Sequence, residues 1–163
     1  MSVDVSELEI WIKKVESAAN ALPSEAIDCL EEIGETFLDL VQDNIMKAKN
    51  VDTRLLLSSF SRGSANNIWK MDNAALSLTV GSAVDYASYV NEGHSQKPGR
   101  FIPGVWRGDR FVYTPGAKTG MVLKASYVEG SYFFDNAEDE IRHKMNDMVE
   151  DYFKAFWKKY MGG

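Results

Sequence analysis

The chain has 163 residues, of which 45% are hydrophobic and 26% charged, and it carries a net charge of −6. This length suits a single domain, and the composition is that of a globular protein, which excludes wholesale disorder. No lysine or arginine run exceeds two residues, which leaves out the usual footprint of a sequence-independent nucleic-acid binder, and no apolar run nears the ~20 residues a membrane span needs.

From Val5 to Asn20, Leu8, Trp11, Ile12 and Val15 fall on one face and predict a short amphipathic helix, with Ser6 as N-cap and Glu9 three places on. Trp11 reads as a core or interface anchor. A break is expected at Ala21-Leu22-Pro23, because proline removes a helical hydrogen bond. Ser24 then caps a second helix to about Lys49, whose face Ile27, Leu30, Ile33, Phe37, Val41 and Ile45 repeats at helical spacing. Its first turns hold Glu25, Asp28, Glu31, Glu32 and Glu35, which complement the helix dipole and read as a solvated face. Cys29, the single cysteine, cannot form an internal disulfide and reads as a small buried apolar group of a reduced compartment.

Asp52 is expected to form the turn that ends this helix, followed by a short apolar piece from Arg54 to Phe60 and a loop from Ser61 to Asn67. Ile68 to Ser82 alternates as a β-hairpin through Asp72-Asn73, with Trp69 on one strand. Tyr86, Tyr89 and Val90 share one face of a short helical turn that Gly93 can stop. His94 to Gly120 reads as a long exposed loop or arm, with Pro98, Gly99, Pro103 and Gly104 as turn formers and Phe101, Trp106, Phe111 and Tyr113 among them. Asp135, with Glu138 three places on, opens a last helix whose stripe includes Ala137, Ile141, Met145, Met148, Tyr152 and Phe156, with more apolar surface than one partner helix covers. The fold class is α+β: two N-terminal helices, a small antiparallel sheet with a long protruding loop or arm, and a C-terminal helix packed across the sheet. Residues 1–163 read as one domain with 94–120 as the arm.

Little in the chain suggests chemistry. His94 and His143 lack partners at zinc-ligand spacing, and no nucleophile elbow, phosphate loop or dinucleotide fingerprint is present. A hydrolase built on His94 with Glu92 or Asp85 is disfavoured, since neighbours along one turn rarely converge on a substrate. No catalytic, metal or cofactor site is expected. Arg100, Arg107 and Arg110 read as interface arginines beside the aromatics of the same window.

The segment Y-A-S-Y-V-N-E-G-H at 86–94, followed by G-R-F-I-P-G at 99–104, resembles the Y-A-x-Y-V-E-x-G-H/T segment of the phage tail-component family. These are small neck, tail-completion and head–tail joining proteins of tailed phages, defective prophages and phage-tail-like particles. Val51-Asp52-Thr53 with Leu55 is similar to the family's V-D-T-G-x-L-R turn, although Arg54 stands where the family has glycine. Y-V-E-G-S-Y-F-F at 127–134 resembles the segment before the family's last helix.

The resemblance implies a non-enzymatic virion protein at the neck, assembled in the host bacterial cytoplasm as a ring of identical subunits, six in number, between connector or portal and the tail-tube or tail-terminator proteins. DNA would pass through without sequence-specific binding, repelled by an acidic lumen. Within such a ring, Trp69, Tyr86, Tyr89, Val90 and Glu92 are expected in one subunit or partner interface, and the arm, with His94, Arg100, Phe101, Trp106, Arg107, Arg110, Phe111 and Tyr113, is expected to reach the neighbour. The alternative is a monomeric prophage-encoded adaptor that binds a phage or host protein. The N-terminus lacks the basic-then-apolar order of a signal peptide.

Overall fold

The computed structural model describes residues 6–48, 54–124 and 126–162. The elements in chain order are α1 (Ser6–Lys47), α2 (Leu55–Ser59), β1 (Asn67–Asp72), β2 (Ser77–Ser82), α3 (Ala87–Glu92), β3 (Gly93–Gln96), β4 (Phe101–Arg107), β5 (Arg110–Tyr113), β6 (Gly120–Val122), β7 (Ser126–Glu129) and α4 (Phe133–Met161). They divide into two compact units. One comprises the chain up to Val84 together with the stretch from Phe133 onward. The other is Asp85–Tyr132. The α+β class is as expected from the sequence.

The first unit is built on an antiparallel pair of long helices. Asn44 Nδ2 donates to the Phe133 carbonyl at the start of α4, while Lys159 and Tyr160, near its end, bond Glu25 of α1. Between these ends lies the core. Val41 and Ile45 are fully buried, and Phe37, Leu38, Ala137, Ile141 and Phe156 are nearly so. Phe37 meets Phe134 edge to face at 5.1 Å, and Phe60, from the segment after α2, meets Phe133 at 5.8 Å. Edge-to-face rings gain a little beyond their buried area, because the positive rim of one meets the negative face of the other.

The two expected N-terminal helices are one. Pro23 lies inside α1 with no break. Ala19, whose carbonyl Pro23 leaves without its helical donor, is exposed, so water can reach it. Ser24, expected as an N-cap, instead donates its hydroxyl back to the Ala21 carbonyl at 2.8 Å. The Val51-Asp52-Thr53 turn lies outside the described residues.

The β1–β2 ribbon is the expected hairpin, with Trp69 opposite Val80 and Met71 opposite Leu78, but its connection runs from Asn73 to Leu76. Asp72 Oδ1 closes its turn by accepting from the Ala74 and Ala75 amides, both at 3.0 Å. The ribbon lies against α1 at Gly34. A Cβ there would fall on Leu78 Cδ2 and within 2.8 Å of the Trp69 ring, so only glycine lets strand and helix approach this closely. The last helix packs chiefly along α1 rather than across the ribbon, because its apolar stripe matches that of α1 over many turns.

The second unit holds the rest of the β-structure. β3 pairs with β7, and β4 is the centre of a three-stranded sheet in the order β5–β4–β6, all antiparallel. The stretch 94–120, expected as a long loop or arm, therefore carries most of three strands and the start of a fourth. Pro103 and Gly104, expected in a turn, lie inside β4. Gly104 is needed for closeness rather than for turning, since a Cβ there would meet the Val112 carbonyl and the Phe111 ring. Pro98 and Gly99 do sit between strands, Gly99 with φ +82°.

Candidate assembly surfaces

The tyrosine segment is built around the end of α3. Gly93 caps the helix with φ +85°, a conformation that costs glycine nothing. A Cβ at Gly93 would run into the Val128 carbonyl. The C-terminal carbonyls of α3, which have no partner within the helix, are satisfied from the far side of the unit. Ser131 donates its amide and its hydroxyl to the Val90 carbonyl, the Tyr132 amide reaches Asn91, and the Tyr127 hydroxyl reaches Glu92 at 2.8 Å. The two motif-bearing segments, 86–94 and 127–132, thus form one structure although 32 residues separate them. His94 stacks edge to face with Tyr89 at 5.8 Å, and its buried Nδ1 has no hydrogen-bond partner among the described residues. Among the described residues, no hydrogen bond joins it to Glu92 or Asp85.

Around this scaffold the expected interface residues are largely exposed. Tyr89, Phe101, Trp106 and Tyr113 present about half or more of their surface to solvent, and Tyr86, Glu92, Arg100, Arg107 and Arg110 are also exposed. Val90 and Phe111 are half-buried, and Phe111 lies 5.3 Å from Trp106 across the β4–β5 hairpin. Trp69 stands apart from them in the first unit. It is half-buried against Gly34 and lies under the Arg62 guanidinium, 4.3 Å from its ring centre. Arg62 in turn bridges Glu31 and Glu35 of α1.

Two features escaped a reading by sequence pattern. The first is the N-terminal overhang of α1. Ala18 and Cys29 are buried, and Glu25 between them is held by α4, where Lys159, Tyr152 and Tyr160 all donate to its carboxylate. The Lys159 hydrogen bond holds the Glu25 carboxyl below the usual carboxylate range, while burial, aided by that carboxylate, pushes the Tyr152 hydroxyl up to about 12. Counting back from Ala18 by three, seven and ten residues gives Val15, Trp11 and Leu8. They continue the same seam, yet all three are exposed, Trp11 at 55%. Trp157, near the end of α4, is 52% exposed. A groove of about 420 Å³ between α1, β2 and α4, lined by Leu30, Ile33, Phe37, Leu78 and Ile141 among others, leaves further apolar surface open.

The second feature is a segregation of charge. The second unit holds six basic and four acidic residues, net +2, which leaves net −8 on the first. No two of those six cations are adjacent, so a search for basic runs passes over them. Counting charge by segment would have found them.

Among the described residues, no group of three or more histidine, cysteine or acidic side chains is gathered as a metal site, and no helix is long and apolar enough to cross a membrane. The surfaces on offer are those of contact: exposed aromatics, arginines and an open apolar seam. The family described as "Bacteriophage HK97-gp10, putative tail-component" matches residues 11–93, from the overhang through the tyrosine segment. The chain belongs to this family. A phage-like element PBSX protein, XkdI, of Bacillus subtilis is 41% identical over 75% of this chain and 77% of its own length. The uncharacterized protein YqbI of the same organism is 50% identical over 66% of this chain and 69% of its own. No solved structure matches the chain. Membership of a tail-component family, with a relative from a phage-like element, makes this a structural protein of a phage or prophage.

Proposed function

We propose that this tail-component protein acts at the head–tail interface, as a neck or tail-completion protein that assembles as a ring between the connector or portal and the tail. The observation that carries the reading is the unfinished seam of α1. Leu8, Trp11 and Val15 continue a buried helix–helix interface past the point where α4 covers it. A monomer gains nothing from aligning apolar side chains at core spacing and leaving them in water. A subunit that completes its core against other subunits does. The exposed aromatics of the second unit, on the residues that carry the family motif, point the same way. Portal-side and tail-tube or tail-terminator proteins are the partners this position supplies, and DNA would pass through the ring without sequence-specific contact.

Light scattering across a concentration series tests the ring directly, and capture by purified connector and tail proteins tests its place. A closed oligomer that binds both sides supports the neck. A strict monomer that binds neither would defeat the proposal.

A further inference from the structure

We propose that the three-stranded sheet β5–β4–β6 of one copy docks on the acidic face of α1 in a second copy, so that subunits join head to tail. This rests on the ring reading and names the two faces a ring needs, since a head-to-tail contact joins two different patches.

The sheet is cationic in an acidic protein. Between Lys97 and Lys124 the chain has six basic residues and only Asp109 against them, net +5, and all six are exposed. The register spreads them along the strands. Arg107 stands directly opposite Arg110 at the hairpin end. The Gly99–Leu123 and Leu123–Arg100 backbone bonds bring Lys97, Arg100 and Lys124 to the other end, and the Thr119–Gly104 pairing sets Lys118 beside the middle. Seven residues of β4 make this strip about 23 Å long.

Apolar exposure also marks the sheet as incomplete. The pairing puts Phe101, Val105 and Val122 on one face and Trp106 and Tyr113 on the other, and all five are exposed. An apolar centre with arginines at its margin is the composition of a protein interface.

The complementary strip lies on α1. Asp28, Glu32, Glu35, Asp39 and Asp43 recur at spacings of four and three along one side of the helix, and all are exposed. Among the described residues only Glu35 of the five is ion-paired, to Arg62. Fifteen residues of helix separate the first from the last, about 22 Å. Two strips of opposite charge and equal length, on separate units of one chain, fit a second copy better than they fit DNA, which would leave the acidic strip without a partner. Such complementarity sets register and partner choice and weakens with salt.

Charge reversal tests this. One full-length variant carries Arg107→Glu and Lys118→Glu; another carries Glu32→Lys and Asp39→Lys; a third carries all four. Circular dichroism checks that each folds, and light scattering at about 150 mM NaCl reads assembly. Each double variant alone is expected to need at least about tenfold more protein to assemble than the parent. An equal mixture of the two is expected to recover assembly in part, because half of the contacts between unlike copies join an unaltered sheet to an unaltered α1, while the fourfold variant, whose strips keep only net +1 and −1, is expected to assemble no better than either. Rings that form from the Arg107→Glu, Lys118→Glu variant as readily as from the parent would overturn the docking but leave the neck reading standing. A mixture that does not recover would also overturn it. Loss of binding to a short DNA duplex on reversing the sheet, with the mass unchanged, would assign the strip to DNA instead. A parent chain that stays monomeric, alone and with connector protein, would end both.

Discussion

Trp11→Ala, set beside Phe156→Ala, separates surface that stabilises the subunit from surface reserved for assembly. Both residues lie on the faces that α1 and α4 turn to apolar partners, but Phe156 is 2% exposed and Trp11 is 55% exposed. Truncating a buried phenylalanine costs about 3–5 kcal/mol through lost transfer energy and the cavity left behind. In a chain of this size that lowers Tm by roughly 10–15 °C. Trp11 is already more than half exposed, and alanine is the better helix former, so its truncation should change subunit stability by no more than about 0.5 kcal/mol. In the assembled state a buried tryptophan anchor is worth about 2 kcal/mol or more, and its loss should raise the assembly midpoint about thirtyfold. Thermal melts at low concentration, where the subunit alone is measured, and light scattering across a concentration series give the two readouts. If Trp11→Ala melts as early as Phe156→Ala, the overhang is part of the subunit core. If the assembly midpoint does not move, the seam is not an interface. Either result refutes the reasoning.

Gly34→Ala should destabilise by about 1–2 kcal/mol in urea unfolding, because crowding against Leu78 and the Trp69 ring outweighs the roughly 1 kcal/mol gained in helix propensity. Adding Leu78→Ala should then cost less than it does in the parent, and an additive double variant would contradict the close approach. Tyr152 ionises in the folded chain only at about 12, against an ordinary value of 10. Its contribution is therefore complete below pH 10 and lost as pH rises toward 12, because the unfolded chain ionises first. Tyr152→Phe should flatten that part of the unfolding free-energy curve, and an unchanged slope would count against the buried hydroxyl. Burial first, and then the Glu32 charge, push the Cys29 thiol up, so a thiol reagent at pH 8 should modify it slowly in the native protein and rapidly in denaturant. Equal rates in the two states would show that Cys29 is open to solvent.

Local repetition made much of this molecule legible in the sequence. The stripe from Leu30 through Ile45, the alternation of β1 and β2, the α3 turn stopped at Gly93 and the last helix each announce themselves within a dozen residues, because a helix or hairpin is stabilised largely by its near neighbours. The family resemblance at 86–94 is of the same local kind. What lay beyond reach depended on partners distant in the chain. Pro23 reads as a break until α1 is seen to be buried on both sides of it, at Ala18 and at Cys29, with α4 holding Glu25 close by. The strands between 93 and 129 are too short and too full of proline and glycine to show a period, and β3 finds its partner in β7 some 30 residues on. The cations of 97–124 become a strip only when antiparallel pairing lays them side by side. The sequence by itself determined which residues are apolar, at what spacing, and so which faces must be covered. Only the tertiary structure decided which faces are covered. Where the α1 seam stops being core and becomes surface depends on the length and register of α4, and no feature of the first fifteen residues encodes either.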